Sequence, residues 1–233
     1  MTPFDPVFWM ALLKIIGVNI VLSGDNAVVI ALAARSLPGK QQKLAIFWGS
    51  GAAIVMRIVL TLFAVALLAL PWLKLIGSVL LLWIGIKLLT DNDGGDDGVK
   101  SHDSMLAAIK TILIADLVMS VDNVIAVAAA AKSDTLLVII GLAISIPLII
   151  YASTLLIKLM ERFPVIITIG AALIGWVAGE MAWDEVVIKP FTKQYPGWFE
   201  YVAAAVGALL VIIAGKWLAR KNGGAEVPTP TNT

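Results

Sequence analysis

The chain contains no cysteine and a single histidine, His102, which excludes several kinds of site. Without cysteine there is no disulfide, zinc–thiolate site, iron–sulfur cluster or thiol nucleophile. One histidine cannot build the multi-histidine centres that favour copper or zinc. Charged residues make up only 14% of the chain and the net charge is +1, so we expect no nucleic acid partner.

Apolar residues are abundant, at 60% of 233 residues, whereas soluble domains hold about 45–50%. The composition therefore predicts an integral membrane protein with the lipid bilayer as its main partner. The first eight residues carry only Asp5 as a charge, so we expect the first apolar stretch to be a membrane span, not a cleaved signal peptide.

Seven apolar stretches reach the length of about 20 residues that a spanning helix needs. Prolines and glycines separate them. The sequence predicts an all-α membrane protein with one transmembrane domain, 1–221, an acidic linker at 91–103 and a disordered tail at 222–233. The predicted spans are 7–34, 43–69, 72–90, 105–131, 135–158, 164–182 and 199–219.

Basic residues predict how the chain crosses the membrane. Ten lysines and arginines flank the spans on one side and five on the other, leaving out Arg57 and Lys110 inside apolar stretches. The more basic side is expected to be cytoplasmic. The N-terminus is then outside and the C-terminus inside.

A polar string occurs twice inside apolar stretches, at 19–26 and at 116–123. Both copies read Asn/Asp-x-x-x-Ser-x-Asp-Asn. A charged side chain at the bilayer centre costs about 2.5–3.5 kcal/mol on insertion scales, so its repetition indicates a function. The candidate ion ligands are Asn19, Ser23, Asp25, Asn26, Asp116, Ser120, Asp122 and Asn123.

The similarity of the two halves continues beyond the polar string. The strings are 97 residues apart, and further on Pro71, Gly77 and Trp83 match Pro164, Gly170 and Trp176 at an offset of 93. Three spans in each half (7–90 and 105–182) force opposite orientations. We therefore predict an inverted 3+3 repeat with an extra C-terminal helix, an arrangement that places transporter ion sites at the midplane.

The candidate ligands are all oxygen donors, which suit Mg²⁺, Ca²⁺ or Mn²⁺. A regular helix turns 100° per residue, so either it unwinds near Gly24 or each aspartate faces a different neighbour. Arg57 has three readings: it compensates the carboxylates, replaces the ion when the site is empty, or reaches for the interface. A protonated carboxylate is the alternative source of charge balance.

Two further readings stay open for the polar residues. Serine and asparagine side chains also hold membrane helices together, although carboxylates rarely do so. Glu180 is either an interfacial residue or part of an external exit.

The doubled string in the first and fourth of seven spans resembles the TerC family of bacterial membrane proteins, in its short form. The resemblance covers 7–219 and implies a multi-pass protein of the plasma (inner) membrane. It implies manganese export and favours Mn²⁺ over Ca²⁺ and Mg²⁺, with the acidic motif on Asp25, Asn26, Asp122 and Asn123. It also implies, for some members, metal supply to secreted proteins beside the export machinery.

These features favour a transporter over an enzyme, with no cofactor beyond the transported divalent cation. One alternative is a membrane partner protein that assists secreted proteins, docked on export machinery or forming a homo-oligomer. A remote alternative is an intramembrane aspartyl protease. The Tyr-Asp and Gly-x-Gly-Asp motifs that are typical of such enzymes are absent from the sequence, however.

Overall fold

The computed structural model describes residues 8–10, 12–13, 16–17, 24–63, 70–90, 101–130 and 135–223. All regular secondary structure in these residues is helical. The helices are α1 (Gly24–Ala34), α2 (Gly39–Leu62), α3 (Leu73–Thr90), α4 (Ser101–Ala130), α5 (Thr135–Arg162), α6 (Val165–Trp183), the short α7 (Lys189–Thr192) and α8 (Phe199–Gly223).

Five of the described helices, α2, α3, α4, α6 and α8, are long and apolar enough to cross a membrane. The prediction of an α-helical membrane protein is thereby confirmed. Of the other two predicted spans, α5 follows 135–158 and runs for 28 residues. The 11 residues of α1 cover the end of 7–34, most of whose earlier part lies outside the described residues.

Helix boundaries follow the breakers in the sequence. α2 begins directly after Pro38, and Pro164 occupies the N-cap position of α6. α4 begins at Ser101, inside the stretch predicted as the linker 91–103, and the rest of that linker lies outside the described residues. Ser101 and Asp103 explain this earlier start, since serine and acidic residues favour a helix N-terminus.

The helices pack in two groups. α6 lies closely against α8 and α3, and α8 also packs on α3. In the second group α4 packs on α2, and α1 and α2 both pack on α5. Arg35, just after α1, joins the groups by donating to the Leu88 carbonyl at the end of α3, at 2.7 Å.

Glycines allow α6 and α8 to approach at backbone distance. A Cβ at Gly175 would lie 2.5 Å from the Gly207 carbonyl oxygen, and a Cβ at Gly179 would lie 2.6 Å from the Ala204 Cα. Gly175 and Gly179 form a small-x-x-x-small pair, the spacing that brings membrane helices close together. The last helix therefore packs against α6 with little space between the two backbones.

A buried carboxylate holds the start of α3 against the chain that follows α6. Glu185 is fully buried and accepts backbone N–H groups of Trp72 and Leu75, each at 3.1 Å, and of Val187 at 3.3 Å. Trp72 has φ of 69°, a conformation that costs about 1–3 kcal/mol for a residue other than glycine. Glu185 thus caps the helix and helps to hold the strained residue before it.

Beside it, Asp184 accepts hydrogen bonds from two lysines, Lys189 at 2.8 Å and Lys74 at 3.0 Å. Burial would raise the pKa of the Asp184 carboxyl, but the hydrogen bonds from both lysines outweigh it and the pKa is lowered. Burial would likewise raise the pKa of Glu185, and its backbone N–H donors lower it below the usual value. Both groups are therefore charged at neutral pH.

Glu185→Gln is expected to lower the free energy of unfolding at neutral pH by about 1–3 kcal/mol, because an amide cannot accept at both positions. The folded pKa is lowered, so the carboxylate stabilises the fold above its unfolded pKa of about 4.3. This contribution is lost as the pH falls through the folded value. Thermal unfolding in detergent across acidic pH measures both effects.

The control is Glu161→Gln at the exposed end of α5, which is expected to match the wild type. If the Glu185→Gln and wild-type proteins lose stability in parallel on acidification, the carboxylate does not stabilise the fold.

Candidate functional site

The end of the first polar string opens α1. Asp25 and Asn26 lie in its first turn, with Asn26 2% exposed and Asp25 half-buried. The Asp25 carboxylate accepts the backbone N–H of Asn26 at 2.8 Å. Asn19 and Ser23 lie outside the described residues, so unwinding before Gly24 stays a prediction.

The second string lies within the unbroken helix α4, so the chain does not unwind at Val121. Asp116 and Ser120 are buried one turn apart, and the Ser120 hydroxyl donates to Asp116 Oδ2 at 3.2 Å. The backbones of Asp122 and Asn123 lie in the same helix, while their side chains fall outside what the structure describes. In this copy, a regular helix presents the polar groups.

Arg57 of α2 reaches the same place from the neighbouring helix. Its side chain is only 2% exposed, and Nη2 donates to Asp116 Oδ1 at 2.6 Å. Its Nε donates to Ser120 Oγ at 3.0 Å. The three side chains form a closed triangle of hydrogen bonds, which we call the Arg57–Asp116–Ser120 triad. Arginine does not lose its proton in proteins, so the triad contains a permanent positive charge.

The first string meets the triad across a narrow crevice between α1 and α4. The crevice is lined by Asn26, Val29, Ile30, Ile112 and Asp116, and it is too narrow to admit a water molecule. Asp25 lies within electrostatic range of both Arg57 and Asp116. The structure therefore brings the described members of both strings to one place in the helix bundle.

The chemistry of this place is that of oxygen donors around a fixed positive charge. Asp25 and Asp116 provide carboxylates, Asn26 an amide oxygen and Ser120 a hydroxyl, the groups that hard divalent cations prefer. Among the described residues, no three acidic, histidine or cysteine side chains cluster closely enough to hold a metal. The side chain of Asp122, the third carboxylate of the predicted set, lies outside what the structure describes.

Glu180 lies elsewhere, on α6, and does not line the crevice. It accepts the indole N–H of Trp176, one turn earlier, at 2.6 Å. Its counterpart in the first half, Lys87, places its ammonium 5.4 Å from the ring of Trp83. Both ionisable residues thus contact the tryptophan one turn earlier, as expected for interfacial side chains. A role for Glu180 in an exit stays a prediction.

One buried polar residue on the helix of Arg57 was not predicted from the sequence. Ser50 is 1% exposed, and its hydroxyl has no hydrogen-bond partner within the described part of the chain. It precedes Arg57 by seven residues, which places both on one face of α2. That spacing was the available signal.

Comparison with known proteins identifies the family. The family described as integral membrane protein TerC matches residues 4–223. The chain belongs to the TerC family. The predicted resemblance is thereby confirmed, and the protein is an integral membrane protein.

Relatives of this TerC-family protein include two from Bacillus subtilis (strain 168). Uncharacterized membrane protein YjbE is 42% identical over 207 residues, covering 89% of this chain and 94% of the relative. Uncharacterized membrane protein YceF is 28% identical over 217 residues, covering 89% and 83%.

A third relative comes from Escherichia coli (strain K12). The UPF0053 inner membrane protein YgdQ is 29% identical over 178 residues, covering 69% of this chain and 74% of the relative. No solved structure matches the TerC-family chain.

Proposed function

We propose that this TerC-family protein transports divalent metal cations across the plasma membrane, with Mn²⁺ exported from the cytoplasm as its main substrate. The observation that carries the proposal is the Arg57–Asp116–Ser120 triad beside Asp25 and Asn26. Ionisable groups in membrane spans are costly and usually mark an ion pathway.

The charges of the candidate site suit one divalent cation. Asp25, Asp116 and Asp122 carry three negative charges when ionised, and Arg57 carries one positive charge. The remaining charge of −2 equals that which a divalent cation neutralises. A neutral total matters because unbalanced charge is expensive in a low-dielectric interior.

The packing of the helices supports an inverted repeat. In such a repeat α1 corresponds to α4, α2 to α5 and α3 to α6. The contact between α2 and α4 then corresponds to a contact between α5 and α1, and the structure contains both. The contact between α3 and α4 likewise corresponds to a contact between α6 and α1, and both exist as well. We propose that the two halves of this seven-span plan move against each other and give the site alternating access.

The same glycine serves this contact in each half. A Cβ at Gly77 would lie 2.7 Å from Val118 on α4, and a Cβ at the matching Gly170 would lie 2.8 Å from Val28 on α1. Each third helix therefore uses its glycine to approach the first helix of the other half.

Two parts of the proposal rest on other grounds. Oxygen ligands alone do not separate Mn²⁺ from Ca²⁺ or Mg²⁺, and the choice of Mn²⁺ follows from the family resemblance. The outward direction also follows from the resemblance, while the external N-terminus follows from the ten basic residues on one side against five on the other.

The test is a flux assay with purified protein in liposomes. Mn²⁺, Ca²⁺, Mg²⁺ and Zn²⁺ are supplied one at a time, and a pH-sensitive dye inside reports coupled proton movement. Flux of Mn²⁺ well above that of Zn²⁺ is expected. Absence of flux for all four ions, from protein that remains monodisperse, would contradict transport and favour a membrane partner protein that assists secreted proteins.

A further inference from the structure

We infer that Asp116 is the charge partner of Arg57 and not a ligand of the transported ion, so that Asp25 and Asp122 bind the ion. The inference deepens the proposed function and rests on it. It assigns different roles to three carboxylates that the sequence places in one candidate set.

The first support is the geometry around Asp116. One carboxylate oxygen accepts Arg57 Nη2 at 2.6 Å, and the other accepts the Ser120 hydroxyl at 3.2 Å. Ser120 in turn accepts from Arg57 Nε at 3.0 Å. Both oxygens of Asp116 therefore already accept from protein donors, and the charge-assisted bond from Arg57 competes with a cation for the same carboxylate.

The second support is a difference between the two halves. The two polar strings share serine, aspartate and asparagine at matching positions, but the first residue is Asn19 in one copy and Asp116 in the other. The aspartates common to both are Asp25 and Asp122. An ion bound between equivalent halves would be expected to use the carboxylates that both halves provide.

Arg57 has no arginine at the matching position of the second half, just as Asp116 has no aspartate at the matching position of the first half. The offset of 97 that aligns the polar strings carries Arg57 to Thr154, and the offset of 93 that aligns the third helices carries it to Ile150. α5 has no charged residue between Thr135 and Ile157. α4, which contains the additional Asp116, packs on α2, which contains Arg57. The equivalent helix α1 packs on α5, which has no charged residue in this stretch.

This pairing makes the two half-sites equal in charge. The first string contributes −1 through Asp25. The second contributes −1 as well, because Asp122 adds to a neutral pair formed by Asp116 and Arg57. Removing one member of a buried ion pair exposes the charge of the other to a low-dielectric surrounding, so the loss of either Asp116 or Arg57 is expected to be costly.

The experiment measures Mn²⁺ affinity by electron paramagnetic resonance of the free ion, with the full-length protein in detergent. Asp116→Asn alone removes the carboxylate that Arg57 contacts and makes the site more positive by one charge, so about tenfold weaker binding is expected. Arg57→Met alone leaves an extra negative charge, and binding is expected to be tighter by a similar factor. The double variant, which copies the amide and the uncharged partner of the other half, is expected to lie within about threefold of the wild type.

The opposite shifts of the single variants distinguish a charge pair from a structural role, because loss of folding would weaken binding in both. A double variant as weak as Asp116→Asn would overturn the inference and make Asp116 a ligand. Arg57→Lys keeps the charge but cannot donate to Asp116 and Ser120 in the same forked geometry, so its affinity is expected to lie between that of the wild type and that of Asp116→Asn. It therefore reports on the charge if Arg57→Met does not fold, and an affinity as low as that of Asp116→Asn would overturn the inference.

Failure of the proposed function would look different. If the wild type neither binds nor carries Mn²⁺, the transport proposal fails. The thermal unfolding midpoints of the wild type, the variants Asp116→Asn and Arg57→Met, and the double variant then test whether Asp116 and Arg57 form a charge pair. Single variants with lowered midpoints and a double variant with a recovered midpoint would support it. A double variant that loses at least as much as the singles together would overturn it.

Discussion

Asp25→Asn is expected to abolish Mn²⁺ flux while leaving the protein folded. Asparagine has nearly the same shape as aspartate but removes one of the two charges that balance the divalent cation. An uncompensated charge in a buried site costs about 3–5 kcal/mol, which corresponds to a loss of about a hundredfold or more. Flux in liposomes, with protein amount and unfolding midpoint measured alongside, checks the expectation.

Asp122→Asn is expected to give the same loss, because the two halves contribute equal charge. The control is Glu161→Gln, which removes an exposed carboxylate at the end of α5 and should transport at the wild-type rate. If both aspartate variants clear Mn²⁺ from loaded vesicles normally, the assignment of the site is wrong. Loss of flux with a much lower unfolding midpoint would show instead that these residues serve the fold.

The helical architecture was predictable because the bilayer imposes a strong length requirement. Apolar stretches at 72–90 and 164–182 became α3 (Leu73–Thr90) and α6 (Val165–Trp183) almost residue for residue. Pro71 and Pro164 mark where these helices begin, since proline is compatible with a helix start and not with its interior. The all-helical membrane class is confirmed, while seven spans and the inverted repeat stay predictions.

The candidate site was predictable in its membership but not in its pairing. Repetition of a costly polar string singles out Asp25 and Asp122 and includes Asp116 in the second copy, and the central position of Arg57 in an apolar stretch suggests a countercharge. Which aspartate the arginine contacts depends on which helices are neighbours. α2 packs on α4 and brings Arg57 to Asp116, a contact across 59 residues that no local pattern encodes.

The cap on α3 was missed for a similar reason. Glu185 follows a predicted span and has no unusual neighbours in the sequence, and the N–H groups that it accepts belong to Trp72 and Leu75, 113 and 110 residues away. The left-handed backbone of Trp72 has no signature in the sequence. Long-range capping of this kind becomes visible only once α3 and α6 are known to pack together.

The sequence contains a glycine pattern that could have predicted the contact between α6 and α8. Gly175 and Gly179 are four residues apart on α6, and Gly207 faces them from α8. The internal repeat aligns glycines that both halves share, such as Gly77 and Gly170. The glycines of α6 that contact α8 serve the helix outside the repeat, so internal symmetry could not reveal them.

Gly179→Ala is therefore expected to destabilise the protein by about 1–3 kcal/mol, although alanine is the better helix former by about 1 kcal/mol. The new methyl group would meet the backbone of α8 at Ala203 and Ala204, and backbone cannot move aside as a flexible side chain can. The unfolding midpoint in detergent, followed by tryptophan fluorescence, measures the loss. Trp176 is one of eight tryptophans that contribute to this signal, and its ring lies 6.5 Å from that of Tyr201 across the same interface.

Gly51→Ala provides the matched control, because a Cβ at this position in α2 would meet no atom of the described residues within 4 Å. It is expected to be neutral or slightly stabilising, and equal midpoints for the two variants would show that the α6–α8 contact is not tight.

The variants Gly179→Ala and Asp25→Asn also separate stability from transport. α8 packs mainly on α6 and α3, whereas the Arg57–Asp116–Ser120 triad lies between α2 and α4. Below its unfolding midpoint Gly179→Ala should therefore carry Mn²⁺ at nearly the wild-type rate, whereas Asp25→Asn should stay inactive at every temperature.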